Sequence, residues 1–558
     1  MPVERNGEEG FTMAITVIGA SLVAMLVLVA LTAVNGDSHS GAYDLKQKQA
    51  YEAAKAGIDD YAFHLHANNS YWTSCANVTS PSAVNQVGST KNRRTVPGTT
   101  GAEYAIELLP STTQTIYKEC NESHATESML QSKDPLKGTF RIRSTGYAGK
   151  AEASIVATFK PGSFLDYVYF TQRETSDPVT YGPEETIVKA AEKQCSKTIA
   201  EKRYSTEILS GQGYCDAISF VSGDFINGPM HTNDAFVICG SPTLGGSAAD
   251  PVEVSGPPKG WFSTSEIPNS NSSCSGSESN FKGTFTANSA IFTPPSSNAE
   301  LSTIAAESKS VFKGQVRICL SAKNMTVLTY SEASTCAKPI GTPLYSGSIP
   351  ATGVVYVESG TCSAKKYTPF NVNYEATTEN AGCGNAYVEG TYSGQLTIAT
   401  YNDIIVTGNL CMESCESELP LKGEGVLGLV ANNFVRIYHP ESYRIEKEEK
   451  NGKVVKETKV FECKNGTGYL QNYTIDAAIL AIEHSFIVDN YNCGSKLGTL
   501  RVNGAIAQKY RGAVGTTGSN GSGYLKSYNY DSRLKYLEPP SFIQPEKTAW
   551  VIGRETLE

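Results

Sequence analysis

Residues 11 to 36 hold no charged side chain, and this stretch constrains the chain more than any other. At ~1.5 Å rise per residue, a helix of that length exceeds what the ~30 Å hydrocarbon core of a bilayer requires. The expectation is a membrane-spanning helix over 11–36. A secretory signal has a shorter apolar part followed by a small-residue cleavage site. Here the run ends in Val34-Asn35-Gly36-Asp37, so it is expected to stay attached to the rest of the chain.

The junction in front of the run is Gly10-Phe11-Thr12, with a polar leader, 1–10, ahead of it. This resembles the prepilin signal of type IV pilins and pseudopilins. The resemblance implies that a prepilin peptidase cuts between Gly10 and Phe11, that Phe11 becomes an N-methylated first residue, and that the apolar helix serves as membrane anchor and then as filament core. Two departures are visible. The leader carries Glu4, Glu8 and Glu9 against Arg5, which gives little of the usual cytoplasmic lysine and arginine bias. The fifth mature position, commonly Glu in that family, is Ile15, a residue expected at the filament interface.

Behind the run, Leu45, Ala50, Tyr51, Ala54, Ile58, Tyr61, Ala62 and Leu65 recur at helical spacing, so an amphipathic helix is expected to follow the spanning one. Strands follow at 104–109, 139–144 and 151–159, with Gly146-Tyr147-Ala148-Gly149-Lys150 as a turn. The pattern is similar to the small heads of minor pilins, which sets a head over 37–162. A connecting segment, 163–214, holds an aromatic strand at 164–170 and a short helix opened by Pro183-Glu184-Glu185.

From about Cys215 to Tyr530, turn-plus-strand units recur. Asn233-Asp234, Asn402-Asp403, Asn432-Asn433 and Glu483-His484 each lead into a β-branched or aromatic strand. Such repetition fits rungs that bury their apolar faces on one another, with the polar pairs at corners. The expected fold class is therefore α+β. A long N-terminal transmembrane helix and small antiparallel sheet come first, then a large all-β domain over 215–530, either a β-solenoid or a two-sheet sandwich. Insertions are expected at 264–299, rich in Ser, Asn and Pro, and at 441–471, where Asn451-Gly452 sits between two charged strands as a hairpin turn. Residues 531–558 are left as a C-terminal tail.

Fourteen cysteines, all downstream of the apolar run and none in zinc-type CxxC spacing, place the bulk of the chain in an oxidising exterior. Pairing neighbours gives Cys75 with Cys120, Cys195 with Cys215, Cys239 with Cys274, Cys319 with Cys336, Cys362 with Cys383, Cys411 with Cys415 and Cys463 with Cys493. Sequence leaves other connectivities open.

A net charge of −9 without long single-sign blocks speaks against a nucleic-acid surface. HExxH, GxSxG, P-loop and dinucleotide motifs are absent, and no cofactor or metal site is expected. Asp234, Asp403 and Arg436 are the candidates if the β domain acts on acidic polysaccharides. The leading expectation is a non-enzymatic minor pilin-like protein of the bacterial surface, anchored by one membrane pass. Its partners would be other pilin subunits, the prepilin peptidase, the membrane, and a glycan or other surface ligand. A solenoid enzyme on a membrane anchor and a structural envelope spacer are the rivals.

Overall fold

The computed structural model describes residue 25 and residues 43–546 and 550–558, apart from 66–67, 69, 74–92, 113–114, 118–119, 133–137, 183, 198–214, 257–258, 264–265, 267–275, 277–280, 364–366, 373, 417–418, 451–452, 466–469, 517 and 519. Gly10, Phe11, Ile15, Cys75 and Cys274 lie outside the described residues, as does the expected spanning helix over 11–36 except for Met25. Among the described residues no helix is long and apolar enough to cross a membrane. The expected α+β class is corrected: the described residues are mostly β, 43% strand against 15% helix, and their sheets do not close. The physical reason lies in the large number of short β-branched and aromatic strands, which outweigh the helical stretches.

The chain divides into two compact units, Met1–Pro161 with Ala549–Glu558, and Gly162–Thr548. In the first, the described helix runs over residues 43–65 and buries Ala50, Ala54, Ile58, Tyr61 and Leu65. Each large side chain so buried contributes roughly 1.5–3 kcal/mol. They pack against a sheet ordered as Arg94–Thr95, Ala102–Leu109, Phe140–Ala148, Ala151–Pro161 and Trp550–Leu557, all antiparallel. The helix seats closely because Gly146 offers no side chain: a Cβ there would stand 2.0 Å from the Ala50 carbonyl oxygen. The fifth strand comes from the segment expected as a tail. Its Trp550 ring lies 4.7 Å from Phe140 and 5.7 Å from Trp72, inside the aromatic core. The second unit is thus inserted between two neighbouring strands of the first, whose ends Pro161 and Trp550 face each other in register.

The second unit is built of short strands stacked in parallel, with three strands to a turn in its N-terminal part. There Met230–Thr232, Phe236–Cys239 and Thr243–Leu244 follow one another around a corner. The next turn places Pro251–Val254 and Trp261–Ser263 on the first two in register. A second, longer stack runs through Val354–Glu358, Gln395–Thr400, Val426–Ala431, Thr474–Ala481 and Lys496–Arg511, again parallel. Parallel pairing of this kind departs from the sandwich alternative, whose strands are antiparallel. Polar corner residues form ladders, with Asn402 Nδ2 donating to Asn385 Oδ1 at 2.6 Å and Asn433 Nδ2 donating to Asn402.

The two stacks join end to end, out of sequence order. Tyr169–Ser176, the first strand of the unit, lies between Met230–Thr232 of its own stack and Ile506–Arg511 near the end of the other. Phe225–Asn227 likewise pairs with Ser527–Asn529. An amide ladder crosses this joint from Asn227 to Asn529 to Asn503 to Asp476, at 3.3, 3.1 and 2.7 Å. Two buried ion pairs do the same: Arg511 to Glu174 at 3.0 Å, and Lys526 to Asp224 at 2.7 Å. Burial pushes the Glu174 carboxyl up and the Lys526 ammonium down from their ordinary values, against the pull of Arg511 and Asp224 respectively.

Because the joint sets the second unit's first strand on one of its last rungs, the chain must travel back along the stack to begin its second part. Residues 288–310 make that crossing. Phe292 packs on Tyr167, Phe170 and His231 near the joint. Asn298 Nδ2 donates to Thr400 O and Val430 O on two adjacent rungs, and the helix Glu300–Glu307 packs on Val354–Glu358. Phe292 and Asn298, inside the segment expected as a surface loop, are buried.

Removing one member of a buried pair strands its partner's charge. Arg511→Ala is expected to cost about 3–5 kcal/mol in denaturant unfolding, whereas Glu174→Leu combined with Arg511→Met should cost clearly less. Equal losses in the single and double variants would show that the pair is not what seals the joint.

Candidate functional site

The strand Val435–Ile437 ends in Tyr438-His439-Pro440, and the backbone there leaves the stack. It forms a two-stranded sheet, Glu441–Lys450 with Lys453–Asn465, separate from the stacked rungs. Register pairs Tyr443 with Phe461, Ile445 with Lys459 and Lys447 with Glu457. With period-two alternation, Tyr443, Phe461, Ile445 and Lys459 share a face. The Lys459 ammonium sits 3.6 Å from the centre of the Tyr443 ring and 3.0 Å from Glu375 of the stack. Tyr443, Ile445, Val454 and Val455 stay exposed, at 48, 46, 44 and 55%.

The root of the hairpin is a buried polar cluster across three successive rungs. Arg436 is in register with Ile405 on one side and Ile487 on the other. Its guanidinium donates to Asp403 from Nη1 at 3.0 Å and to both oxygens of Asp489 from Nε and Nη2 at 3.0 and 2.9 Å. The phenols of Tyr367 and Tyr374 donate to the same Asp489 carboxylate, the latter at 2.7 Å, and Tyr367 also lies over the guanidinium at 4.0 Å. The cluster then holds the departing chain. His439 N donates to Tyr374 Oη at 3.1 Å, and Asn490 Nδ2 donates to His439 O at 2.8 Å. On the returning strand, Cys463 is bonded to Cys493.

The sequence candidates fall in two places. Asp403 and Arg436 meet in this cluster, while Asp234 belongs to the N-terminal stack, where its carboxylate accepts from Glu174 N at 2.9 Å. All three side chains are buried. Tyr367, Tyr374 and Asp489 complete the cluster and carry no local motif; the abundance of tyrosine is the one sign of them in the sequence. The other bonded cysteine pairs are Cys195–Cys215, Cys319–Cys336, Cys362–Cys383 and Cys411–Cys415, and Cys120 and Cys239 are also in disulfides.

One constellation has the composition of a nucleophile, base and acid. His231 Nδ1 lies 3.0 Å from Glu253 Oε2, and Nε2 lies 3.4 Å from Ser255 Oγ. Nε2 is also 3.3 Å from Asn233 Oδ1, and the Asn233 amide is fixed by two contacts with the Phe292 backbone. An amide oxygen there requires the Nε2 proton, and Ser255 Oγ donates instead to Ala290 O at 3.0 Å. With no imidazole lone pair facing the hydroxyl, the group ties the crossing segment to the stack and does not activate Ser255.

His484 sits beside the cluster, stacked on Phe434 at 4.3 Å, with Nδ1 3.1 and 3.2 Å from the two oxygens of Asp177. Burial opposes its charge, but Asp177 outweighs burial and raises the imidazole from its ordinary 6.5. A raised folded-state value means that this contribution to stability is fully present below about pH 6.5 and is lost as pH rises through the folded value. Melting temperature against pH should therefore fall less steeply above 6.5 in His484→Gln than in the native chain. Identical profiles would show that the His484–Asp177 pair is not coupled to folding.

No family model matches the chain, and no curated protein does. Among solved structures the chain aligns with the competence-associated pilin ComZ from Thermus thermophilus at 12% identity, over 92% of this chain and 96% of that one, with a TM-score of 0.23. A superposition that loose carries no argument about fold or role.

Proposed function

We propose that this is a minor pilin-like protein of a bacterial cell surface, carried at the end of a type IV pilus or pseudopilus, where its large β unit presents an adhesive or otherwise interacting surface. The observation that carries the reading is the Gly10-Phe11 junction at the edge of a run free of charge. A peptidase cut there leaves a helix able to serve in turn as anchor and filament core. The partners on this reading are the prepilin peptidase, the membrane and the apolar helices of other pilin subunits. Ile15 supports a terminal position. A carboxylate at the fifth mature position is understood to pair with a neighbour's N-terminal amine, and an unpaired ammonium in an apolar bundle costs several kcal/mol. The inserted unit, residues 162–548, supports it as well, since a bulk of that size crowds a tightly packed shaft and is free at an end. The rigidly rooted hairpin 441–465 is the proposed contact surface, because binding groups are commonly carried on excursions from a rigid scaffold.

Intact-mass analysis of membrane-extracted protein is expected to show a chain beginning at methylated Phe11, with Gly10→Leu blocking the cut. A chain still bearing the leader refutes the reading. Immunogold labelling should give single end-labels on filaments. Label along shafts would refute the terminal position, and label confined to the membrane would favour a simple anchor.

A further inference from the structure

A cavity of about 430 Å3 opens where the two stacks join, and neither the hairpin nor the polar cluster accounts for it. Val221 and Ser222 line it from the N-terminal stack, and Lys496, Gly498, Tyr524 and Leu525 line it from the other. The volume falls within the roughly 300–1,000 Å3 of ordinary small-molecule sites, which favour such internal interfaces. Its walls are chiefly carbon. Tyr524 lies at the floor, 4% exposed with its hydroxyl turned away to donate to Leu470 O at 2.6 Å, and Leu525 stands at the rim, 43% exposed. Backbone forms part of the wall: a Cβ on Gly523, at φ +68°, would meet the Val514 carbonyl oxygen at 2.5 Å, so no side chain can fill the space from that side.

Against these walls stands one cation. Lys496 is exposed and is the first residue of its strand, Lys496–Arg511. Its stem lies across Gly521, where an added Cβ would come within 2.9 Å of its Cε. The other lysine of this corner, Lys526, is neutralised by Asp224 at 2.7 Å. Among the described residues Lys496 has no such acid. Ser222, Thr516 and Ser522, the nearby hydroxyls, are engaged within the protein, Ser222 Oγ accepting from Ser241 N, Thr516 Oγ1 accepting from Ser522 N and Ser522 Oγ donating to Tyr491 O. A lysine with no acid partner among the described residues, at the mouth of a carbon-lined cavity, favours a molecule with an anionic group at one end and a compact apolar body at the other. The ammonium fixes which end of the molecule faces the mouth, while the apolar walls supply burial for its body.

We infer that this cavity is a binding site for a small apolar carboxylate, its body on Tyr524 and Leu525 and its carboxylate on the Lys496 ammonium. The site does not depend on the filament reading. Since its two walls belong to different stacks, occupancy also tightens the joint, and a ligand held only by the folded state raises the melting temperature.

The test uses 2-naphthoate as probe and 2-naphthylmethylammonium, of equal ring and opposite charge, as control. Both are titrated by saturation-transfer NMR against the full chain and three variants. Expected are saturable naphthoate binding, at least tenfold weaker binding of the ammonium, at least tenfold weakening of naphthoate in Lys496→Gln, retention in Lys496→Arg, and loss in Leu525→Asp. Among the described residues Lys496 makes no ion pair, so Lys496→Gln should melt with the native chain, which separates loss of binding from loss of fold. The melting temperature of the native chain should rise with naphthoate. Equal affinity for the two probes, or naphthoate binding unchanged in Lys496→Gln, overturns the ligand class. Absence of saturable binding, or binding indifferent to Leu525→Asp, overturns the site.

Discussion

Everything in the large unit depends on one joint, the pairing of Tyr169–Ser176 with Ile506–Arg511. A parallel stack has two ends, each a row of unsatisfied backbone groups and exposed apolar side chains, and such edges are a liability. Two separate stacks would have four. Setting the first strand of one on the last rung of the other removes two of them, and a single apolar cluster then runs through both, from Val168 and Met230 to Ile506 and Tyr528. One remaining end is covered by the antiparallel strands Asn324–Thr329 and Tyr345–Ser348. The joint is also where burial is most demanding, since Arg511 and Glu174 are 1 and 0% exposed. Burying that pair gives little net stability. It does make any other register expensive, because a one-residue slip would leave both charges alone.

The same logic governs the projecting hairpin. Two strands standing in water have few contacts of their own, and an isolated pair is marginally stable at best. Their geometry has to be imposed from the base. Arg436 supplies it, since the planar guanidinium spans two carboxylates on neighbouring rungs, and the tyrosines satisfy the oxygens left over. The disulfide at Cys463 fixes the second leg. A cluster that resembles an acid-base site in composition is here a mounting for something outside it.

How much of this is legible in the sequence depends on how local each feature is. Polar pairs ahead of β-branched strands are readable at Asn402-Asp403 and Asn432-Asn433, because a corner and the strand after it are adjacent in the chain. The helical stripe ending at Leu65 is readable for the same reason. The fold class is misjudged from sequence, because the helical N-terminus is conspicuous and the many strands are individually short. The aromatic strand expected at 164–170 forms instead at Tyr169–Ser176, behind a 3-10 turn at Phe164–Asp166, and nothing in it says that its partner lies more than three hundred residues later. Trp550 falls in the segment expected as a C-terminal tail, 531–558, until the sheet it completes is known. Nothing local marks Glu174, Asp489 and Arg511, since sequence shows that a residue is ionisable but not that a partner waits for it in the core.

The insertion itself sets an order of events. Strand Trp550–Leu557 pairs with Ala151–Pro161 across the whole of residues 162–548, and its Trp550 enters the aromatic core around Phe140. The first unit therefore cannot complete its sheet until nearly all of the chain exists, whatever the local stability of its helix and first four strands. The joint imposes the same delay inside the second unit, where Tyr169–Ser176 waits for Ile506–Arg511. Such distant pairings fold slowly, because the entropy of loop closure is lost before the contacts form. Until then, apolar edges stand open. Short-range disulfides, the closest being Cys411–Cys415, restrict individual rungs and loops during that interval without needing the distant partner. The chain thus combines stabilisation that acts locally and early with two long-range closures that act last, and its finished form is held by the late ones.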